Sequence, residues 1–349
     1  MENSTNLDLL RTTAVLLVVG DHSLKIAFGI SAIAGVDINM IGLLGVLLFF
    51  VHTCLVLMYS LERQEKRQGD VGALQVYGYF YIRRALRIYP LSIFALACIV
   101  AFHIPSSEIV GIGVLASHHP SFHEFVVNAL LMQNLFFGNH ILGPLWSLPW
   151  EVQMYLLLPL IYRVLGRNSR WKELLVIWGL ALLLADHIHL VRYLPNFLPG
   201  VIAYAIARKV RPFLPSYLWP LFLGGLIVAY GCAPGVRWGR VICLVLGCGV
   251  PFFRQLSFRP LAFVAKWIAT YSYGIYLGHL FCLWVCFSVL PHVGVLPRIL
   301  LFVVLLVAVP FLLYHCIEKP LISYGVRIGD AFVGLRSPRT IAIPDSSRS

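Results

Sequence analysis

Charge is scarce in this 349-residue chain. Only 12% of its residues are Asp, Glu, Lys or Arg, where a soluble domain carries about a quarter. Acidic residues are the scarcer sign, 15 against 27 basic ones. That shortage, with 59% hydrophobic content and a mean hydropathy of +0.83, excludes a soluble enzyme or binding module. The eight cysteines contain no Cys-x-x-Cys pair and lie mostly in apolar runs, so they read as small buried hydrophobes, not as a zinc or disulfide framework. No internal repeat is visible, which weighs against an inverted-repeat transporter. The polar residues 1–6 are followed by no small-residue cleavage site, so the first apolar run is expected to be the first helix of the mature chain.

What is present is a series of apolar runs, near 8–28, 41–60, 88–103, 145–162, 173–190, 194–208, 214–231, 238–253, 264–289 and 298–318. Most approach the ~20 residues a helix needs to cross ~30 Å of hydrocarbon. The expected fold is all-α, a polytopic transmembrane bundle of about ten helices. The excess of basic residues does not suggest a nucleic-acid partner, because of where it falls. With the N-terminus in the cytoplasm and the sides alternating, every Lys and Arg except Lys25, Arg192, Arg237, Arg240 and Arg298 falls on the cytoplasmic side. The positive-inside rule produces such a split, and it places both termini in the cytoplasm.

Residues 1–322 form one membrane domain. Residues 323–349 are expected to be a short, disordered cytoplasmic tail, Ser-, Arg- and Pro-rich at its end. The half-apolar segment 122–137 either lies on the surface, re-enters or spans. Spanning would break the charge alternation.

Ionisable groups inside spanning helices cost several kcal/mol and mark either function or a paired structural bond. Four constellations qualify. Asp8, Arg11, Asp21 and His22 share the first run. Arg11 and His22, eleven residues apart, lie on one helical face roughly 16–17 Å from each other along the axis. The histidine can take a proton from a hydroxyl, and the arginine suits a phosphate-bearing ligand. The alternative is an interfacial Asp8–Arg11 pair and a satisfied core histidine. The stretch from Gly143 to Tyr155 sets Trp146 and Ser147 before Glu151 and Tyr155, which are i,i+4 neighbours. Glu151 there is a general acid or base, an orienting carboxylate, or a residue of an interfacial aromatic belt. The basic turn Tyr81 to Pro90 offers Arg83, Arg84 and Arg87 either to phosphates or to lipid headgroups. Ser272, Tyr276 and His279 fall at i, i+4 and i+7, forming an acceptor-binding face or an interhelical hydrogen-bond network. His118, His119, His123 and His140 lack acidic or cysteine partners at ligand spacing, so no metal site is expected. The role of His52 stays open.

These stretches, in order, resemble the acyltransferase 3 family of bacterial membrane O-acyltransferases. The resemblance rests on Asp8, Arg11 and His22; on Phe49-Phe50-Val51-His52-Thr53; on Arg83 to Pro90; on Trp146 to Tyr155; on Ser272 to His279; and on Glu318-Lys319-Pro320. Leu47, Thr53-Cys54 and Pro149-Trp150 depart from the family's pattern. The resemblance implies a multi-pass protein of the bacterial inner membrane. It implies that an acyl group, acetyl being expected, moves from cytoplasmic acyl-CoA to a hydroxyl of a carbohydrate or other acceptor. Acyl-CoA is then a donor substrate, with no bound cofactor expected. His22, Arg11 and Glu151 take catalytic roles. Asp8, Arg83, Arg84, Arg87, Trp146, Ser147, Tyr155, Ser272, Tyr276 and His279 contact substrate. The rival reading is a proton-coupled transporter or flippase of a glycan-related or small anionic substrate, with Asp21, His22 and Glu151 as its relay.

Overall fold

A computed structural model describes residues 4–334 except 34, 70–71, 106, 110–113, 117–119 and 137–138. Helix α1, Thr5–Phe28, is started by Ser4, whose side chain accepts from the Leu7 N–H, and is stopped by Gly29 in the left-handed region. A two-residue hairpin leads to α2, Ile38–Gln68, and then to α3, Ala73–Phe102. After a second small hairpin comes α4, Phe122–Ala129, closed by a Ser121–Glu124 capping box. Eight residues reach ~12 Å, so this helix does not cross a bilayer. Helix α5, Leu148–Ile161, continues through a π turn to Gly166. The rest are α6, Trp171–Leu184; α7, Leu194–Ala207; α8, Leu218–Cys232; α9, Val236–Gly249; α10, Arg259–Leu283; α11, Val295–Leu313; and α12, Lys319–Val333.

The architecture is helical, and five stretches among the described residues are long and apolar enough to cross a membrane: 38–68, 73–102, 189–207, 259–289 and 295–333. Fewer helices meet that description than the sequence runs suggested, for two physical reasons. Helix α1 has the length but carries Asp8, Arg11, Asp21, His22 and Lys25. Helices α6, α8 and α9 are regular for only 14 or 15 residues each before a turn or a 3₁₀ segment interrupts them. In α11 only Pro310 is buried, while Leu300, Val303, Val304 and Val307 face outward, as lipid contact requires. Helix α12 runs past residue 322 to Val333, so the first part of the expected tail is helical. It is held to the bundle by Arg67 on Asp330 (3.2 Å) and by the seating of Gly329 against Tyr79. The expected disorder of residues 335–349 lies outside the described residues.

Helix α2 is the axis of the bundle. Its Gly45 admits the α1 backbone so closely that an added Cβ would stand 2.6 Å from the Ala14 carbonyl oxygen. Gly42 likewise makes room for the Asp21 carboxylate, and Gly200 of α7 sits directly on the Val51 carbonyl. Small residues at such crossings let helices pack where lipid supplies no hydrophobic drive between them. Phe50 stacks on Phe197 with ring centroids 4.0 Å apart, and Tyr59 meets Tyr204 edge-on. Helices α2 and α7 are therefore parallel, whereas α1 and α2 are antiparallel. Polar clasps complete the frame: Thr12 donates to the Ala265 carbonyl (2.8 Å), and Trp219 donates to the Asn6 carbonyl (3.1 Å).

This packing defines two ends. Asp21 and His22 lie level with Gly42. Arg63, 21 residues further along α2, lies ~31 Å away. We call these the histidine end and the arginine end.

Candidate active site

A cavity of about 310 Å³ opens between α1, α2, α3, α5 and α10. Its lining gathers Arg11, Arg83, Arg84, Arg87, Ser147, Glu151, Tyr155, Ser272 and Tyr276, residues that the sequence singled out in four separate stretches. It also includes His52, Thr53 and Arg63. Five arginines thus face one carboxylate, Glu151. Among the described residues none of the five makes an ion pair, and the Nε of Arg11 is buried with no hydrogen-bond partner. Arg83 additionally lies over the Tyr79 ring at 5.4 Å. Uncompensated guanidinium groups in a partly desolvated cavity are costly unless an anion joins them. Their planar forks suit phosphate oxygens.

Glu151 is held on two sides. Tyr155 donates to its Oε2 (2.8 Å), one helical turn on, and Thr53 of α2 donates to its Oε1 (3.3 Å). Among the described residues, both hydrogen bonds to its carboxylate come from these two hydroxyls. Glu151 sits inside the arginine-lined space.

The histidine end is organised by α1 and α10. His279, fully buried, directs Nδ1 at the Ile275 carbonyl (3.1 Å) and Nε2 at Nδ1 of His22 (3.2 Å). His22 Nδ1 also lies 2.9 Å from the Val18 carbonyl. Carbonyl oxygens only accept, which requires a proton on both Nδ1 atoms. His279 Nε2 is then an acceptor, and His22 Nε2 carries the lone pair that a general base needs. Beside them Lys25 bridges Asp21 (2.8 Å) and Asn39 (2.6 Å).

Tyr276 connects the two parts. It lines the cavity, donates to the Pro144 carbonyl (2.8 Å), pairs with the Ser147 hydroxyl (2.8 Å), and its ring centroid is 6.4 Å from that of His279. Ser272, one turn earlier, spends its hydroxyl proton on the Ala269 carbonyl (2.9 Å) but still lines the cavity. The structure therefore brings most of the expected residues together and leaves four outside the cavity wall. His22 and His279 form their own pair. Trp146 packs on Tyr193 (5.7 Å) behind the wall. Asp8 makes no ion pair with Arg11 and instead lines an adjoining cavity of about 210 Å³, which shares Arg11, His52, Val56 and Arg63 with the larger one.

Thr53, Arg63 and the His279-to-His22 contact were not assigned roles from sequence. Thr53 and Arg63 carried a signal only through helical periodicity: they and His52 stand on the α2 face that meets α1. Of the loop histidines, His118 and His119 lie outside the described residues, and no cluster of metal-ligating side chains occurs among the described ones.

Comparison with known proteins identifies a family. No solved structure matches the chain. A protein of Aquifex aeolicus (strain VF5), itself uncharacterised, is 26% identical over 197 residues, covering 50% of this chain and 86% of the relative. The acyltransferase domain family, Acyl_transf_3, matches residues 4–315, which takes in α1 with His22, the whole cavity lining and α10 with His279. This match covers nearly the whole chain, the arginine-lined cavity and the histidine pair included, and it leads to one conclusion: the protein belongs to the acyltransferase 3 family and is an integral membrane acyltransferase.

Proposed function

We propose that the protein is a membrane O-acyltransferase of the bacterial inner membrane, moving acetyl from cytoplasmic acetyl-CoA to a hydroxyl of a carbohydrate acceptor. The observation that carries this reading is the cavity whose lining, among the described residues, sets five arginines without an ion pair against one glutamate. A donor rich in phosphate supplies the charge those arginines lack. Both termini lie in the cytoplasm and about ten segments cross the bilayer, some of them as interrupted helices; the charge alternation supports this reading. The arginine end is then cytoplasmic, where acyl-CoA is made.

In this scheme Arg11, Arg83, Arg84 and Arg87 hold the nucleotide phosphates, with Arg63 and Asp8 at the mouth. The thioester points toward Tyr276 and Ser147. His22 Nε2 takes the proton of the acceptor hydroxyl as its oxygen attacks the thioester carbonyl carbon. The carbon–sulfur bond then breaks, and the coenzyme A thiolate leaves and recovers the proton from the imidazolium. His279 holds His22 in the tautomer that leaves Nε2 basic. Glu151, fixed by Tyr155 and Thr53, limits the positive charge of the cavity and binds polar groups of substrate there.

The test is transfer of radiolabelled acetyl from acetyl-CoA by the purified protein in lipid nanodiscs to a panel of saccharides. Label on a saccharide, lost with His22→Ala, is expected. No turnover with acetyl- or longer acyl-CoA, together with proton-coupled solute uptake in vesicles, would replace this reading with the transporter.

A further inference from the structure

The basic residues of the histidine end are few. The charge pattern assigns only Lys25, Arg192, Arg237, Arg240 and Arg298 to it. Three of these, Arg192, Arg237 and Arg240, line one cavity of about 770 Å³, formed where α6 and α8 end and α7 and α9 begin. Its place at this end follows from packing. Helix α9 sets Gly239 on Leu47, and α7 sets Phe197 on Phe50, both near the α2 terminus that carries Gly42.

Arg240 is 2% exposed and bonds Asp186 (2.8 Å) through Nη2, which also approaches the Arg192 carbonyl (3.5 Å). Its Nε is buried with no partner. Arg237 reaches the other oxygen of Asp186 (3.0 Å). Tying α9 to the α6–α7 turn accounts for Asp186 and one guanidinium. It does not account for three. Arg192 has no ion pair among the described residues and lies over Tyr193 at 5.9 Å. Two positive charges and a buried N–H donor are left over, at the end where the membrane's topology rule disfavours basic residues. Trp238, its indole N–H fixed on the Ala229 carbonyl (2.9 Å), adds a ring of set orientation to the same lining.

We infer that this cavity binds the carboxylate or phosphate of an acidic saccharide at the end of the bundle where His22 lies, opposite the arginine cavity. Calling that saccharide the acyl acceptor rests on the proposed O-acyltransferase activity; the binding itself does not. Charge complementarity selects the acid over its neutral counterpart, and the aromatic side chain offers the sugar ring an apolar face.

The experiment measures glucuronate, glucose 6-phosphate and glucose binding to the full chain in zwitterionic nanodiscs by saturation-transfer NMR. Glucuronate or glucose 6-phosphate should bind at least about tenfold more tightly than glucose. Arg192→Ala/Arg237→Ala should lose at least about tenfold of that affinity, whereas Arg83→Ala keeps it. Should the double variant not fold, Arg237→Ala alone, at a side chain 84% exposed, carries the test with a loss of about threefold or more. Three results overturn the inference. One is equal binding of glucose. Another is loss with Arg83→Ala but not with the Arg192/Arg237 variants, which would put the anion in the arginine cavity. The third is binding abolished by adding phosphatidylglycerol to the nanodisc, which would make the occupant a lipid headgroup. Acetyl-CoA turnover in the same preparation is read separately, so its failure would count against the acyltransferase scheme and leave the saccharide result standing.

Discussion

His279 Nε2 lies 3.2 Å from His22 Nδ1, and each ring anchors its own Nδ1 on the carbonyl one helical turn back. That relationship orders the two rings: His279 Nε2 accepts, and His22 keeps its proton on Nδ1 and its lone pair on Nε2. It predicts that His279→Ala lowers kcat by roughly 10- to 100-fold, as loss of an orienting partner does elsewhere. The KM for the donor should stay within about twofold. Glutamine, which can still accept from Nδ1–H, should recover part of the loss. Equal effects of Ala and Gln would reduce His279 to a packing role. Steady-state kinetics on the three proteins decide it.

The cavity arginines should act on donor affinity. Arg84→Ala or Arg87→Ala removes one charged donor, costing about 1.5–3 kcal/mol, or roughly 10- to 100-fold in Kd for acetyl-CoA. Arg87→Lys should rescue poorly, because an ammonium lacks the planar fork. Donor affinity should also fall as salt rises. Calorimetric titration of coenzyme A against each variant at two ionic strengths measures all three effects.

Glu151 has two donors of unequal length, Tyr155 at 2.8 Å and Thr53 at 3.3 Å. Tyr155→Phe should therefore impair kcat/KM more than Thr53→Val, the larger loss corresponding to about 1–3 kcal/mol. The reverse order would mean that Thr53 serves the substrate directly.

Gly42 is predicted to be intolerant for a reason unconnected with turns. A Cβ there runs into the Asp21 carboxylate, which Lys25, itself bonded to Asn39, holds beside His22. Gly42→Ala should destabilise the protein by about 1–3 kcal/mol through overpacking. A lowered thermal midpoint in nanodiscs, absent for Gly20→Ala on the open side of α1, is the expected signature.

How much of this was legible in the sequence divides by physical cause. Apolar runs and charge alternation revealed a helical membrane protein because hydrocarbon thickness and translocation act on linear sequence. The i,i+4 relation of Glu151 and Tyr155 was readable because it is local. The meeting of His22 with His279 was not, because 257 residues separate them and only the α1–α10 packing joins them. Local winding hid as well. The π turns after Ile161, Leu283 and Leu313 leave no hydropathy mark, so the change of helical winding inside these runs was not readable. Arg192 and Arg240 looked like scattered outward charges until the fold closed them on one cavity.

The central claim is a division of labour between the two ends of the bundle: arginines bind the donor and His22 moves the proton. Measuring acetyl-CoA affinity and single-turnover acetyl transfer side by side for wild type, His22→Ala and Arg84→Ala tests it most directly. The account predicts that His22→Ala binds the donor within about twofold of wild type yet loses about 10²- to 10⁴-fold in transfer rate. Arg84→Ala should bind roughly 10- to 100-fold more weakly, while its transfer rate at saturating donor stays near that of wild type. Wild-type transfer by His22→Ala, or unchanged donor affinity in Arg84→Ala, would contradict it.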